Sequence, residues 1–135
     1  MALQTYRDLE AWKKSIDLVE SVYRIAADLP SEEKYGPCSQ IRRAAVSVPS
    51  NVAEGYGRSH RGDYLHHLSI ARGSLAEVET LLTIAVRLGF LRRESVKESW
   101  GLAQETGRIL NKLIASLRSP KDARAKSDGD CYPEP

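Results

Sequence analysis

Aromatic residues make up only 7% of this 135-residue sequence, with one Phe and two Trp. A core built from such a chain must be largely aliphatic, with alanine between the larger side chains. Cysteine is equally scarce. Cys38 and Cys131 lie far apart, Cys131 in a polar tail, and neither belongs to a CxxC pair. That excludes a disulfide framework and a CxxC-type metal site. No apolar run approaches membrane-spanning length, and the opening MALQTYRDLEAW has no apolar core of the signal-peptide kind. A cytoplasmic protein with no membrane partner is the expectation. The formal net charge of +2 is too small to argue for any partner by itself. Missing too are a G-x-S-x-G elbow, a Walker A loop and a Rossmann fingerprint. Gly55-Tyr56-Gly57 has only two glycines and follows a helical pattern, so it reads as a turn.

What is present is helix. Hydrophobic residues at 41% and charged residues at 28% are ordinary for a soluble domain, and the length suits one core. Four segments carry apolar residues at alternating spacings of three and four, the seam of packed helices. The first is Leu9, Trp12, Ile16, Val19, Tyr23 and Ala26, ended near Leu29-Pro30, with Asp8 as its cap. The second is Ile41, Ala45, Val48 and Val52, starting around Pro37 and ending near Gly55 or Gly57. Pro49 lies inside it and predicts a kink rather than a break. The third is Tyr64, Leu68, Ala71, Leu75, Val78, Leu82 and Ala85, capped by Ser59 or Asp63. Gly89-Phe90 supplies its left-handed stop. The fourth is Val96, Trp100, Ala103, Gly107, Leu110, Ile114 and Leu117, opened by a Ser95/Glu98 capping box. Short connections make neighbouring helices antiparallel. The fold expected is all-α, an antiparallel up-down four-helix bundle over residues 1–118. The polar, Pro- and Gly-containing segment 119–135 is expected to be a disordered tail.

A second apolar stripe runs beside the first. It comprises Leu18, Val22, Ile25 and Leu29 on the first helix, and Leu81, Ile84 and Leu88 on the third, with Val86 nearby. The fourth helix adds Leu102, Ile109 and Leu113. Either the core-facing arc is wide, or these residues support self-association.

The block QIRRAAVSVPSNVAEGYGRS, followed by YLHHLSIARGSLAEVETLL, is long and ungapped. With YRDLEAWKKSIDLVESVY and LPSEEKYG it carries a resemblance spanning roughly Tyr6 to Leu117. The sequence resembles the four-helix bundle family first noted as reading frames inside intervening sequences of bacterial 23S ribosomal RNA genes. Cys38 stands where the family pattern leads one to expect a larger aliphatic residue, and the tail lies outside that pattern. The sequence is also similar to the accessory protein of diversity-generating retroelements, a homopentameric basic barrel associated with reverse transcriptase and nucleic acid. The resemblance therefore implies a homo-oligomer, a pentamer by analogy, with RNA, DNA or a nucleic-acid enzyme as partner. Fold kinship alone does not transfer function.

Charge distribution sharpens the candidates. Between Gly36 and Gly73 there are five arginines (Arg42, Arg43, Arg58, Arg61, Arg72), no lysine, and only Glu54 and Asp63 against them. Arginine suits bidentate phosphate contacts and also buried ion pairs. Arg42, Arg58, Arg61, His60, Lys13, Lys14 and Arg24 are the candidate phosphate contacts, or else a solvated face with scattered cations. Only Tyr56 and Tyr64 interleave with them, too few for a stacking platform. Arg43, Ser47, Asn51 and Glu54 fall at helical spacing beside the core stripe of the second helix, facing Arg72 and Ser74 on the third. They read as a structural polar network, with Arg43 or Arg72 paired to Glu54 or Glu77 and Asn51 meeting backbone freed by Pro49; a subunit or ligand surface is the alternative.

Catalysis has thinner support. A di-iron bundle needs two Glu-x-x-His elements, and Asp63-Tyr64-Leu65-His66 is a single imperfect match. His60, Asp63 and His67 can share a helix face, but too few ligands accompany them for a metal site. Arg61 and His66 form an Arg-x-x-x-x-His spacing resembling the motif of HEPN-type ribonucleases, in which a His moves the 2′-hydroxyl proton and an Arg holds the phosphate. The function expected is a non-catalytic, oligomeric nucleic-acid-binding module with no cofactor. The alternatives are that ribonuclease, or a purely structural protein-interaction module.

Overall fold

In the computed structural model, residues 4–30 and 34–118 are described, and among them there is no strand. Four α-helices carry the fold: α1 (Glu10–Ala26), α2 (Ser39–Tyr56), α3 (Arg61–Arg87) and α4 (Lys97–Leu117). Contact registers fix their directions. Along α2, Gln40, Ser47 and Asn51 meet Glu77, Ser74 and His67, so α3 descends as α2 rises. Glu79 and Arg72 meet Gln104 and Asn111 on α4, and Lys14 and Arg24 meet Glu105 and Glu98. Each neighbouring pair across these registers is antiparallel. No described helix is long and apolar enough to cross a membrane. Segment 119–135 lies outside the described residues.

The core is aliphatic and small. Leu18, Leu68, Leu82, Leu110, Val22, Val48, Val52 and Val78 are fully buried, with Ala45, Ala71 and Ala103 between them. In α2 and α3 the buried positions follow the seams that the sequence offers. In α1 they do not. The inward line is Ala11, Ser15, Leu18, Val22 and Ala26, whereas Trp12, Ile16 and Val19 are half-buried and Tyr23 is 44% exposed. In α4 it is Ser99, Ala103, Thr106, Leu110 and Ile114, so Trp100 stands about 100° round the helix at 40% exposure. Buried hydroxyls occupy the α1–α4 seam because each finds a hydrogen-bond partner. Ser15 donates to the Trp12 carbonyl at 2.8 Å, Thr106 to that of Leu102 at 2.7 Å, and Ser21 and Ser99 share a bond of 2.6 Å.

The helix ends differ from sequence expectation in instructive ways. Thr5 caps a single 3₁₀ turn, Tyr6–Asp8, by accepting from the Arg7 amide, and Asp8 closes the box by accepting from the Gln4 and Thr5 amides, bonds that hold its carboxyl below the usual range. The α1 helix itself starts at Leu9 without a side-chain cap. His60 takes the cap position of α3, and neither Ser59 nor Asp63 caps it by side chain. Ser95 lies inside a 3₁₀ turn, Arg93–Val96, its amide bonded to the Arg92 carbonyl, so the Ser95/Glu98 box does not form. Helix α2 begins after Pro37, beyond a wide turn at Lys34–Cys38, and runs unbroken through Pro49. Cys38 is buried, its thiol directed at the Ala26 carbonyl. Gly89, at φ 79°, ends α3: the Phe90 amide bonds to the Ala85 carbonyl and the Gly89 amide to that of Val86.

Candidate nucleic-acid interface

Between α2 and α3 a polar clasp forms from fewer residues than the sequence suggests. Asn51 donates through Nδ2 to the Ser47 carbonyl (2.9 Å) and to Ser47 Oγ (3.1 Å), and Ser74 donates to the same Ser47 hydroxyl at 2.8 Å. With its amide nitrogen engaged, Asn51 presents Oδ1 to His67 Nδ1 at 3.0 Å, so that ring nitrogen carries the proton. The Asn51 amide thus meets the carbonyl of Ser47, not that of Ala45, to which Pro49 cannot donate. His67 joins the clasp; Arg43, Glu54 and Arg72 do not. Arg43 bonds Ser39, Glu54 faces Arg58, Arg72 reaches Asn111, and Glu77 accepts from Gln40. Beside the clasp, Tyr64 packs edge-on to Tyr56, and burial pushes its phenol up to about 12.

The cations chosen from sequence fall on separate surfaces. Four of them face carboxylates: Lys13 with Glu10 (3.8 Å), Lys14 with Glu105 (3.5 Å), Arg24 with Glu98 (4.0 Å) and Arg58 with Glu54 (3.4 Å). Arg42 lays its guanidinium over Tyr23 at 5.2 Å. Lys14 and Arg24 are about 15 Å apart along α1. His60 and Arg61, both exposed, sit with Arg58 at the α2–α3 turn. Arg61 and His66 are exposed on α3, and five residues of helix separate them by about 140° of rotation. Among the described residues no three His, Cys, Asp or Glu side chains gather as metal ligands.

At the opposite end from that turn, the α3–α4 junction opens a groove of about 630 Å³. Its position follows from the chain reversal. Gly89 stops α3, buried Leu91 and Val96 anchor the connection, and the 3₁₀ turn leads into α4. Leu82, Val86 and Val96 form an apolar floor. Arg87, Arg93 and Lys97 line the rim, with Glu94 as its one carboxylate, and Trp100 closes one side. Lys97 and Trp100, three apart on α4, share one side of that helix. Among the described residues, none of the three cations forms an ion pair. The sequence hides this site because Trp100 fits a core seam and the three cations are scattered over three elements. Its one available signal is an indole preceded three residues earlier by a lysine.

One turn below the groove, Glu79 accepts from Gln104 at 2.9 Å. Burial raises its carboxyl above the ordinary glutamate range, and the Gln104 bond only partly offsets this. The unfolded chain therefore ionises this group first. Its contribution to stability is fully present below the ordinary glutamate pKa and is lost as pH rises through the raised value. Glu79→Gln keeps an acceptor for Gln104 and should remove that loss. The urea midpoint of the variant should gain on wild type from acid to neutral pH; a constant difference would contradict the assignment.

Comparison with known proteins places the chain beside a described family and a solved structure. The family model described as 23S rRNA-intervening sequence protein matches residues 7–112. The chain is similar to a crystal structure of a protein with unknown function, from the S23 ribosomal protein family of Bacteroides thetaiotaomicron. The TM-score is 0.72 at 24% identity, over 77% of this chain and 97% of that one, a likeness of fold. No curated protein matches the chain.

Proposed function

The chain belongs to the family of 23S rRNA-intervening sequence proteins, and within that family we propose that it is a non-catalytic module binding RNA or DNA at the α3–α4 groove. One observation carries this: Arg87, Arg93 and Lys97 line one concave surface and form no ion pair among the described residues, whereas Lys13, Lys14, Arg24 and Arg58 each face a carboxylate. A cation already facing a carboxylate gains less from a phosphate than one facing solvent, since it must give up its partner. Binding rather than cleavage is favoured because Arg61 and His66 lie exposed on α3, outside the groove.

Self-association is the second part of the proposal. Ile84 and Leu88 are 40% and 62% exposed and lie one turn apart on α3, and Ile70 is 39% exposed on the same helix. A second copy that covered Ile84 and Leu88 would leave the adjoining groove at the edge of the contact.

The test is equilibrium binding of a labelled RNA to the full chain at about 50 and about 200 mM salt. Three phosphate contacts to a single strand predict about a twentyfold loss of affinity between those conditions. Replacing Arg87, Arg93 and Lys97 together with alanine should weaken binding and flatten the salt slope by about two. The Lys13→Ala/Lys14→Ala/Arg24→Ala variant should change little. Salt-independent binding, or an unaffected groove variant, would sink the proposal.

A further inference from the structure

The groove holds more than a patch of charge. Its floor is apolar, and Trp100, one of two tryptophans in the chain, leaves 40% of its surface in solvent at the edge of that floor. A rim of cations alone would serve any polyanion. A duplex offers such a rim its phosphates and keeps its bases stacked inside, so the indole and the apolar floor would gain nothing from it. An unpaired nucleotide brings both parts at once: a flat base for the indole and phosphates on either side. Arg87 reaches the groove from α3, while Arg93 and Lys97 reach it from the turn and α4, so cations stand on both walls. The volume of about 630 Å³ lies within the range of roughly 300–1,000 Å³ typical of small-ligand pockets.

Resting on the groove as the nucleic-acid site, we infer that it selects unpaired RNA or DNA by stacking one base on Trp100 while Arg87, Arg93 and Lys97 hold the adjoining phosphates. Base stacking on an aromatic face tolerates any sequence, because every base has such a face. Selection here is therefore for strand state rather than for sequence. Aspartate and glutamate side chains would satisfy the cations but bring no planar ring to cover the indole.

The experiment compares a short oligouridine with an RNA duplex of the same length, using the full chain. Oligouridine should bind tighter than duplex by about 5- to 150-fold, the worth of one stacked base. Trp100→Ala should bring oligouridine down to the duplex level and leave duplex binding unchanged, and Trp100→Phe should restore most of the preference. In a Trp12→Phe background, where Trp100 is the one remaining indole, oligouridine should quench fluorescence in step with binding and duplex should not. Equal affinity for both forms with a harmless Trp100→Ala would overturn the stacking inference. The groove reading would survive that result if the triple cation variant still weakened both forms. If neither form bound, or if the triple variant left both unchanged, the groove reading would fall as well. Quenching by an acidic peptide of sequence SDGDCYPEP, with none by either RNA, would overturn both and assign the groove to protein.

Discussion

Leu18→Ala should lower the unfolding free energy by about 3–5 kcal/mol, the upper range for a buried leucine whose surroundings cannot collapse into the vacancy. Leu18 is wholly inaccessible, and α1 contacts both α2 and α4, so packed helices border the space it fills. The loss combines the transfer free energy of the removed methyl and methylene groups with the cavity they leave. Against a total of about 5–15 kcal/mol for a domain of ordinary stability, one such change removes a large share. Ile84→Ala removes a similar volume from a side chain that is 40% exposed, and should cost under about 1 kcal/mol in the isolated subunit. Urea unfolding at one fixed protein concentration checks both. The midpoint of Leu18→Ala should drop sharply with the slope unchanged. Equal midpoints for the two variants would mean that α1 is not packed through Leu18.

Leu18 also marks where the sequence was hardest to read. The α1 segment shows two apolar seams, and the bulkier one, with Trp12, Ile16, Val19 and Tyr23, has the stronger periodic signal. The structure turns the other inward, because Ala11 and Ser15 continue the line of Leu18 and Val22. A serine inside the core stripe weakens its signal, and only the partner helix explains it. Ser15 bonds its own backbone, and Ser21 meets Ser99 from α4. The same substitution of hydroxyl for hydrocarbon hid Trp100. On α4, Ala103, Leu110 and Ile114 face inward as the seam predicts, but Ser99 and Thr106 take the buried places of Trp100 and Gly107, and the indole faces outward.

Helix number, helix type and the left-handed stop at Gly89 were legible because each depends on local chemistry: periodicity, and the φ that only glycine takes easily. The central clasp was half legible. Ser47, Asn51 and Ser74 share the α2–α3 seam, but His67 completes the clasp and the arginines look elsewhere. An arginine is long enough to choose among several acceptors, so spacing alone does not select its partner. The groove was illegible for a different reason. It exists only once α3 has stopped, the 3₁₀ turn has redirected the chain, and Arg87 and Trp100 have been brought to one opening.

A close approach of α2 to α3 supports the last prediction. At Gly55 an added Cβ would lie 2.8 Å from His67 Cβ, 3.1 Å from Tyr64 Cδ1 and 3.3 Å from the Tyr64 carbonyl oxygen. Two of these neighbours belong to the chain's least movable parts, a Cβ and a backbone oxygen, so rotating a side chain cannot relieve the overlap. Gly55→Ala must therefore push α3 away from α2, and should destabilise by about 1–3 kcal/mol despite alanine's better helix propensity. Gly73 and Gly101, also inside helices, have nothing within 4 Å of such an atom. There the same substitution removes only glycine's conformational cost and should stabilise by about 0.5–1 kcal/mol. The opposite sign is the informative part, since one chemical change is made at three helical positions. A Gly55→Ala protein as stable as the Gly73→Ala protein would mean that α2 and α3 stand farther apart than this seam requires. Loss at Gly55 should carry over to the clasp, because displacing His67 breaks its bond to Asn51 and leaves that amide oxygen without its partner. Asn51→Ala should then cost less in a Gly55→Ala background than in wild type, and a double-mutant cycle measures that coupling.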